Sequence, residues 1–175
     1  MKWEIEITEE LFVKSATVGM MRRIKAILKG RQRENGRVDF GFDADVQGAV
    51  MEGCFARLLQ LPWRAAIGYL DSHLGDVAEY QIKSVRNRNH RLAVQEKDLE
   101  KFNFILGFLD LGDPPEYPPF ARFLGWAPGS IVKVQSNWVP ANGNWHKAAY
   151  QCPHKDLRPM DTLPLPTPKP TKVPA

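Results

Sequence analysis

Long apolar runs are missing from this 175-residue sequence: none approaches the roughly 20 residues that a helix needs to cross a bilayer. The opening stretch, Met1-Lys2-Trp3-Glu4-Ile5-Glu6, alternates charge with apolar side chains and lacks the h-region of a signal peptide, so a cytoplasmic protein with no membrane partner is expected. Cysteine is scarce. Cys54 and Cys152 lie far apart and neither belongs to a CxxC pair, which removes support for zinc and redox chemistry and leaves two structural thiols. A Gly-rich phosphate loop, a GxSxG elbow and internal repeats are all lacking, which argues against nucleotide-loop enzymes, serine hydrolases of the elbow type and solenoids.

What is present is the composition of an ordinary globular protein, with 43% hydrophobic and 25% charged residues. The length suits one domain with one sizeable core, expected over residues 1–163. From Pro164 to Ala175 the chain is mostly Pro, Thr and Lys without an apolar period, and reads as a disordered tail. The net charge of +4 is modest, but it is unevenly spread. Arg22, Arg23, Lys25, Lys29, Arg31, Arg33 and Arg37 stand against Glu34 alone, and Lys83, Arg86, Arg88 and Arg91 are interspersed with Asn87, Asn89 and His90 and no acid. Both clusters suit phosphate contacts, or equally a solvated helix face and a polar turn.

Trp3 to Thr8 reads as a short strand or an extended lead-in. Thr8 with Glu9 and Glu10 marks a helix start, and Val18, Met21, Ile24, Ile27 and Leu28 recur at helical spacing up to Lys29. A second helix is predicted over Asp43–Leu61, with Val46, Val50, Phe55, Leu58 and Leu59 on its apolar stripe and Pro62 as its stop. Glu52 lies in it among Gly48, Ala49, Gly53 and Ala56, small residues that allow another element to come close. Strands are expected at Ala65–Leu70, Tyr80–Val85, Leu92–Gln95, Phe104–Leu109, Phe120–Trp126, Ile131–Val134 and Ala148–Gln151. A helical turn is expected at Asp98–Phe102, and a short helix or turn packing back at Leu157–Leu163.

The chemically informative run is Gly75-Asp76-Val77-Ala78-Glu79-Tyr80-Gln81-Ile82-Lys83-Ser84. On a strand Gln81 and Lys83 share one face, while Tyr80 and Ile82 point to the other, into a core. Asp76 precedes them closely enough to fold back beside them, and Glu52 can join from its helix. Carboxylates with a neighbouring carbonyl are ligands for a hard cation such as Mg²⁺, which polarises phosphate and lowers the pKa of water. A nearby lysine orients the water or stabilises charge on the phosphate.

The run Asp76-x4-Gln81-x-Lys83 with Glu52 upstream resembles the signature of the PD-(D/E)xK nuclease superfamily. Further resembling pieces are Ala16-Thr17-Val18-Gly19, Gly48-Ala49-Val50-Met51-Glu52, Gly75-Asp76-Val77, Tyr80-Gln81-Ile82-Lys83, Arg91-Leu92-Ala93-Val94, Gly125-Trp126 and Leu157-Arg158-Pro159-Met160. They look most like small phage and prophage members. The resemblance implies an α/β fold of the restriction-endonuclease-like kind, a mixed sheet flanked by helices. It implies a nuclease that hydrolyses DNA with Mg²⁺ or Mn²⁺, in which Glu52, Asp76 and Gln81 bind the metal and Lys83 is the catalytic lysine. Arg86, Arg88, Arg91, Arg22, Arg23 and Lys25 would contact nucleic acid, and double-strand cutting would allow a homodimer. The family's middle acid is replaced here by neutral Gln81, so weaker metal binding is expected. The Asp76–Gln81 spacing is short, and Asp71 is the alternative first acid.

Two other readings stand beside the nuclease: a nuclease-fold DNA-binding module that has lost turnover through Gln81, and a protein-interaction component of a phage. His73 is a candidate for the rim of the site or for a turn in solvent. Trp126, Trp138 and Trp145 are candidates for stacking on bases or, more commonly for tryptophan, for packing. His146 and His154 flank Cys152 without matching a zinc pattern.

Overall fold

The computed structural model describes residues 2–29, 39–67, 75–98, 100–110, 119–141 and 148–166, with only the backbone of 39–42. In chain order the elements are β1 (Glu4–Glu6), α1 (Glu9–Leu28), α2 (Asp39–Leu58), β2 (Tyr80–Val85), β3 (Leu92–Val94), β4 (Asn103–Asp110), β5 (Phe120–Pro128), the single turn α3 (Gly129–Val132), β6 (Trp138–Val139) and β7 (Ala149–Cys152). Short 3₁₀ turns lie at Gln135–Asn137, His154–Asp156 and Met160–Thr162.

Helix α1 starts where Thr8 stands. Its backbone is extended, its hydroxyl accepts the Leu11 N–H at 3.3 Å, and Glu9 and Glu10 place negative charge at the positive end of the helix. Helix α2 begins four residues before its expected start and ends at Leu58 rather than Leu61. Its end is a Schellman motif: Gln60 takes a φ of 54°, its N–H bonds the Arg57 carbonyl, and the Leu61 N–H reaches Ala56 O at 2.8 Å. The chain has therefore left the helix before Pro62. Residues 49–56 of α2 are buried on every side, because α1 covers one flank and the sheet the other. A Cβ on Gly19 would fall 2.5 Å from Val46 Cα and 2.6 Å from Asp45 O, so that position must be glycine for the two helices to meet.

The main sheet has the order β1-β5-β4-β2, with β2 and β4 parallel and the other pairs antiparallel. A second, antiparallel sheet has the order β3-β7-β6. Alternation along β4 supplies two cores. Ile105 faces Val50, Met51, Cys54 and Phe55 of α2, together with Tyr80 and Ile82 of β2. Phe104 and Leu106 face the opposite way, against Leu92, Val94, Val132 and Cys152. Met160 and Leu163 fold back onto the helix-side core, and the Tyr80 hydroxyl donates to the Pro164 carbonyl. Both cysteines are free and buried, and burial pushes the Cys54 thiol up to about 12 and the Cys152 thiol to about 11.

Two expected strands are corrected. Ile131–Val134 is not a strand: its first two residues end α3, because Val132 is drawn into the second core and the Asn137 side chain donates to Val132 O at 3.0 Å, taking a carbonyl that a ladder would need. The described part of Ala65–Leu70 is not a strand: Ala65 has a φ of 48°, and the carbonyls of Ala66 and Ile67 accept from Arg22 Nε and Lys25 Nζ at 2.8 and 2.9 Å. The rest of that segment, like most of the expected tail, lies outside the described residues.

Replacing Gly19 by alanine is expected to lower stability by about 1–3 kcal/mol, the usual cost of overpacking against backbone. Chemical denaturation checks this, and an unchanged midpoint would mean that the helices separate freely.

Candidate functional site

The site is built on the outer edge of β2. The main sheet ends there, so the outward backbone groups of β2 need partners from elsewhere. The chain supplies them by turning sharply just before the strand. Val77 and Tyr80 exchange backbone hydrogen bonds across Ala78-Glu79, with Ala78 at a φ of 51°. The Ile82 N–H is taken by Asp76 Oδ2 at 2.8 Å. This turn leaves no room for a side chain at Gly75, where a Cβ would lie 2.5 Å from Tyr80 O and 2.7 Å from Ala78 O.

Tyr80 and Ile82 are buried on the helix side, so Gln81 and Lys83 project from the other face beside Phe104 and Leu106 of β4. Lys83 Nζ bonds Asp98 Oδ2 at 2.7 Å and lies 5.8 Å from the Phe104 ring centroid. Asp98 is itself held in a turn, where its carboxylate accepts the Gln95 N–H at 3.1 Å and Lys133 Nζ donates to the carbonyls of Glu96 and Asp98. The sequence pattern assigns Asp98 to a helical turn and not to the site. Only the spacing Gln95-x-x-Asp98, typical of a side chain folding back on its own turn, hints at its role.

Glu52 comes from α2 and is 6% exposed. Arg22 of α1 grips it with two parallel bonds of 2.7 Å each, and Trp63 Nε1 adds a third at 3.2 Å. Asp76 sits between the two charge pairs, within electrostatic reach of Glu52, Arg22 and Lys83. Burial pushes its carboxyl from an ordinary 3.8 up to about 7, and the Glu52 charge adds to this. The Ile82 N–H, Lys83 and Arg22 pull in the opposite direction without compensating. Asp76 is thus the one member of the set whose negative charge lacks adequate neutralisation.

The basic residues divide into two groups. Arg86, Arg88 and Arg91 are exposed on the β2–β3 turn, which is shaped by an Asn87 side chain accepting the Asn89 N–H at 2.9 Å. Arg86 also pairs with Asp43 at 3.3 Å. Arg22 and Arg23, expected among the phosphate contacts, turn inward instead: Arg22 is committed to Glu52, and Arg23 is 4% exposed. The α1–α2 interface claims them, since both lie on the helix face that meets α2. Lys25 stays exposed while bonding Ile67 O. Trp126 is a core residue, 3% exposed, with its ring N–H donated to Pro159 O and Thr162 Oγ1. Trp138 packs on Tyr150 with ring centroids 4.8 Å apart. Asp71, His73, Trp145 and His146 lie outside the described residues.

Among the described residues no three His, Cys, Asp or Glu side chains form a cluster able to hold a metal ion. The oxygens at hand are those of Asp76, whose Oδ1 has no hydrogen-bond partner among the described residues, the Gln81 amide and Glu52 in its clasp with Arg22. Their donor chemistry fits a hard cation, with Asp76 as the ligand most in need of one.

Two outcomes follow from these charges. Removing one side of the buried pair, as in Glu52→Ala, should cost about 3–5 kcal/mol by stranding Arg22, whereas replacing both partners by apolar residues should cost less. Denaturation of the single and double variants decides it, and a single variant as stable as the parent would mean that water already screens the pair. In the presence of a chelator the folded state holds the Asp76 proton more tightly than the unfolded chain does. Stability should therefore fall as pH rises from about 3.8 to about 7 and level off above, and Asp76→Asn should flatten that slope.

Compared with models of protein families, with curated proteins and with solved structures, the chain matches none of them.

Proposed function

We propose that this chain hydrolyses DNA phosphodiester bonds with the help of a divalent cation, using a restriction-endonuclease-like core made of α2, β2 and β4. The observation that carries the reading is Asp76. Its carboxylate is tethered to the backbone of the very strand that presents Gln81 and Lys83, and it is short of positive charge. Asp76 and the Gln81 amide oxygen would hold Mg²⁺ or Mn²⁺, with Glu52 as a further carboxylate if Arg22 yields it. When bound, the ion would supply Lewis acidity toward a phosphate oxygen and toward water.

The chain's own residues have separate tasks. Lys83, steadied by Asp98, offers its ammonium to the charge that builds up on the phosphate. Arg22 fixes the orientation of Glu52 and ties it to the segment at Ala66. Arg86, Arg88 and Arg91 lie directly after β2 in the chain, where they would hold the flanking phosphates. A second reading is a DNA-binding module without turnover. It is favoured by the clasp of Arg22 on Glu52, which occupies both carboxylate oxygens, and by the neutral Gln81.

Plasmid nicking with Mg²⁺ or Mn²⁺ is the test. Metal-dependent cutting is expected to fall about 100-fold or more in Lys83→Ala, the scale of losing one stabilising charge at the transition state, and likewise in Asp76→Asn. Replacing Arg88 and Arg91 by alanine should weaken DNA binding and reduce its salt dependence by about one counterion for each phosphate that is no longer held. Salt-sensitive binding without cutting would select the binding module. Neither binding nor cutting in a folded sample would overturn both readings.

A further inference from the structure

The clasp between Arg22 and Glu52 is unequal. Glu52 is enclosed, with 8% of its side chain exposed, whereas 21% of the Arg22 side chain reaches solvent. Both Glu52 oxygens are held, by two guanidinium bonds of 2.7 Å and by Trp63 Nε1 at 3.2 Å, so its direction is fixed from two segments. Arg22 has a second anchorage that does not involve Glu52: its Nε donates to Ala66 O at 2.8 Å. Asp45, two helical turns before Glu52 on α2, also lies within electrostatic reach of the guanidinium. The arginine is therefore the partner able to leave, turning toward water about its bond to Ala66.

Charge supplies the reason to leave. Asp76 feels the charges of both Glu52 and Arg22. Among the described residues Arg22 is the one cation bonded to Glu52, and Lys83 is engaged by Asp98. A single guanidinium facing two ionised carboxylates leaves one negative charge without a counter-charge, which is costly away from water. A divalent cation in its stead would balance both. Such an ion takes oxygen ligands, and Asp76 Oδ1 has no bond among the described residues.

We infer that Arg22 is a built-in counter-ion that competes with a divalent cation for Glu52, and that the cation gains this carboxylate only by displacing the guanidinium. Glu52 then joins Asp76 and Gln81 of the proposed cation site, the reading on which this regulation rests. Arg22 is thus a positioning residue that acts through Glu52. Its loss should tighten metal binding, whereas losing an arginine with a purely structural role would loosen the site.

Titration of the full chain with Mn²⁺ alone, followed by the electron paramagnetic resonance of the free ion, tests the inference. Arg22→Met is expected to bind Mn²⁺ about tenfold or more tightly than the parent, the scale on which groups bonded to metal ligands alter affinity. Adding Asp76→Asn should abolish the gain. Arg22→Lys, which keeps the charge but not the two-pronged grip, should fall between parent and Arg22→Met. If Arg22→Met is unfolded without metal, as circular dichroism would show, Mn²⁺ should restore its fold. The inference is overturned by a folded Arg22→Met that binds no more tightly than the parent, or by a gain that survives Asp76→Asn. It is equally overturned if Mn²⁺ fails to restore an unfolded Arg22→Met and Arg22→Lys binds like the parent. Plasmid nicking separates this from the nuclease reading. Tighter binding without cutting by any form supports the displacement and sinks the nuclease, whereas metal-dependent cutting without the gain sinks the displacement alone.

Discussion

Strand β4 carries large apolar side chains on both of its faces, and burying them simultaneously is the constraint around which the molecule is arranged. Ile105 points one way and Phe104 and Leu106 the other, all fully buried. Each such side chain contributes about 1.5–3 kcal/mol only if its face is removed from water. One layer cannot do this for both faces. Helix α2 covers the first, and since its own residues 49–56 are apolar nearly all round, it needs α1 on its far flank. The second face is covered by β3, β7 and α3, which have too few residues to form a core alone and depend on β4 for theirs. The parallel partner β2 is held between the same two layers, with Tyr80 and Ile82 on the α2 side.

The candidate site is a consequence of where this layered structure stops. A strand at the edge of a sheet leaves backbone donors without a ladder, and at β2 one of these is satisfied by a carboxylate instead of another strand. The side chain that performs this service is therefore held near both faces at once. Glu52 and Arg22 approach from the helix side, Lys83 and Asp98 from the side of the small sheet. Two of the three acids have a close cationic partner at 2.7 Å, as buried charge requires. Asp76 has neighbours of both signs and a large desolvation cost, which is why its proton is held so tightly. Perturbed carboxylates of this sort concentrate at functional sites, because a charge that the fold does not neutralise is available to a ligand.

The surface divides along comparable physical lines. The β2–β3 turn shows exposed Arg88 and Arg91, a basic surface that directly follows β2 in the chain. The outer face of α1 is apolar, with Val13, Met20, Ile24, Ile27 and Leu28 exposed.

Local pattern was enough for much of this. Thr8 beside two glutamates set the start of α1, and the branched and aromatic residues of Tyr80–Val85 formed the strand with the limits they implied. The two-residue period put Gln81 and Lys83 on one face, and the short Asp76–Gln81 interval made a tight turn unavoidable. These outcomes depend on neighbours within a few residues, where sterics and hydrogen-bond geometry leave little choice. Tertiary structure decided what each face would meet. Arg22 found Glu52 30 residues away and Lys83 found Asp98 15 away, pairings that no periodicity encodes. It also turned Ile131–Val132 into a helical turn, kept Ala65 out of a ladder, divided the strands between two sheets, and left Met21, Ile24, Ile27 and Leu28 outside although their spacing resembles a core stripe. Period shows which side chains share a face. Whether that face meets a core, a counter-ion or water depends on which distant segment the chain topology brings against it.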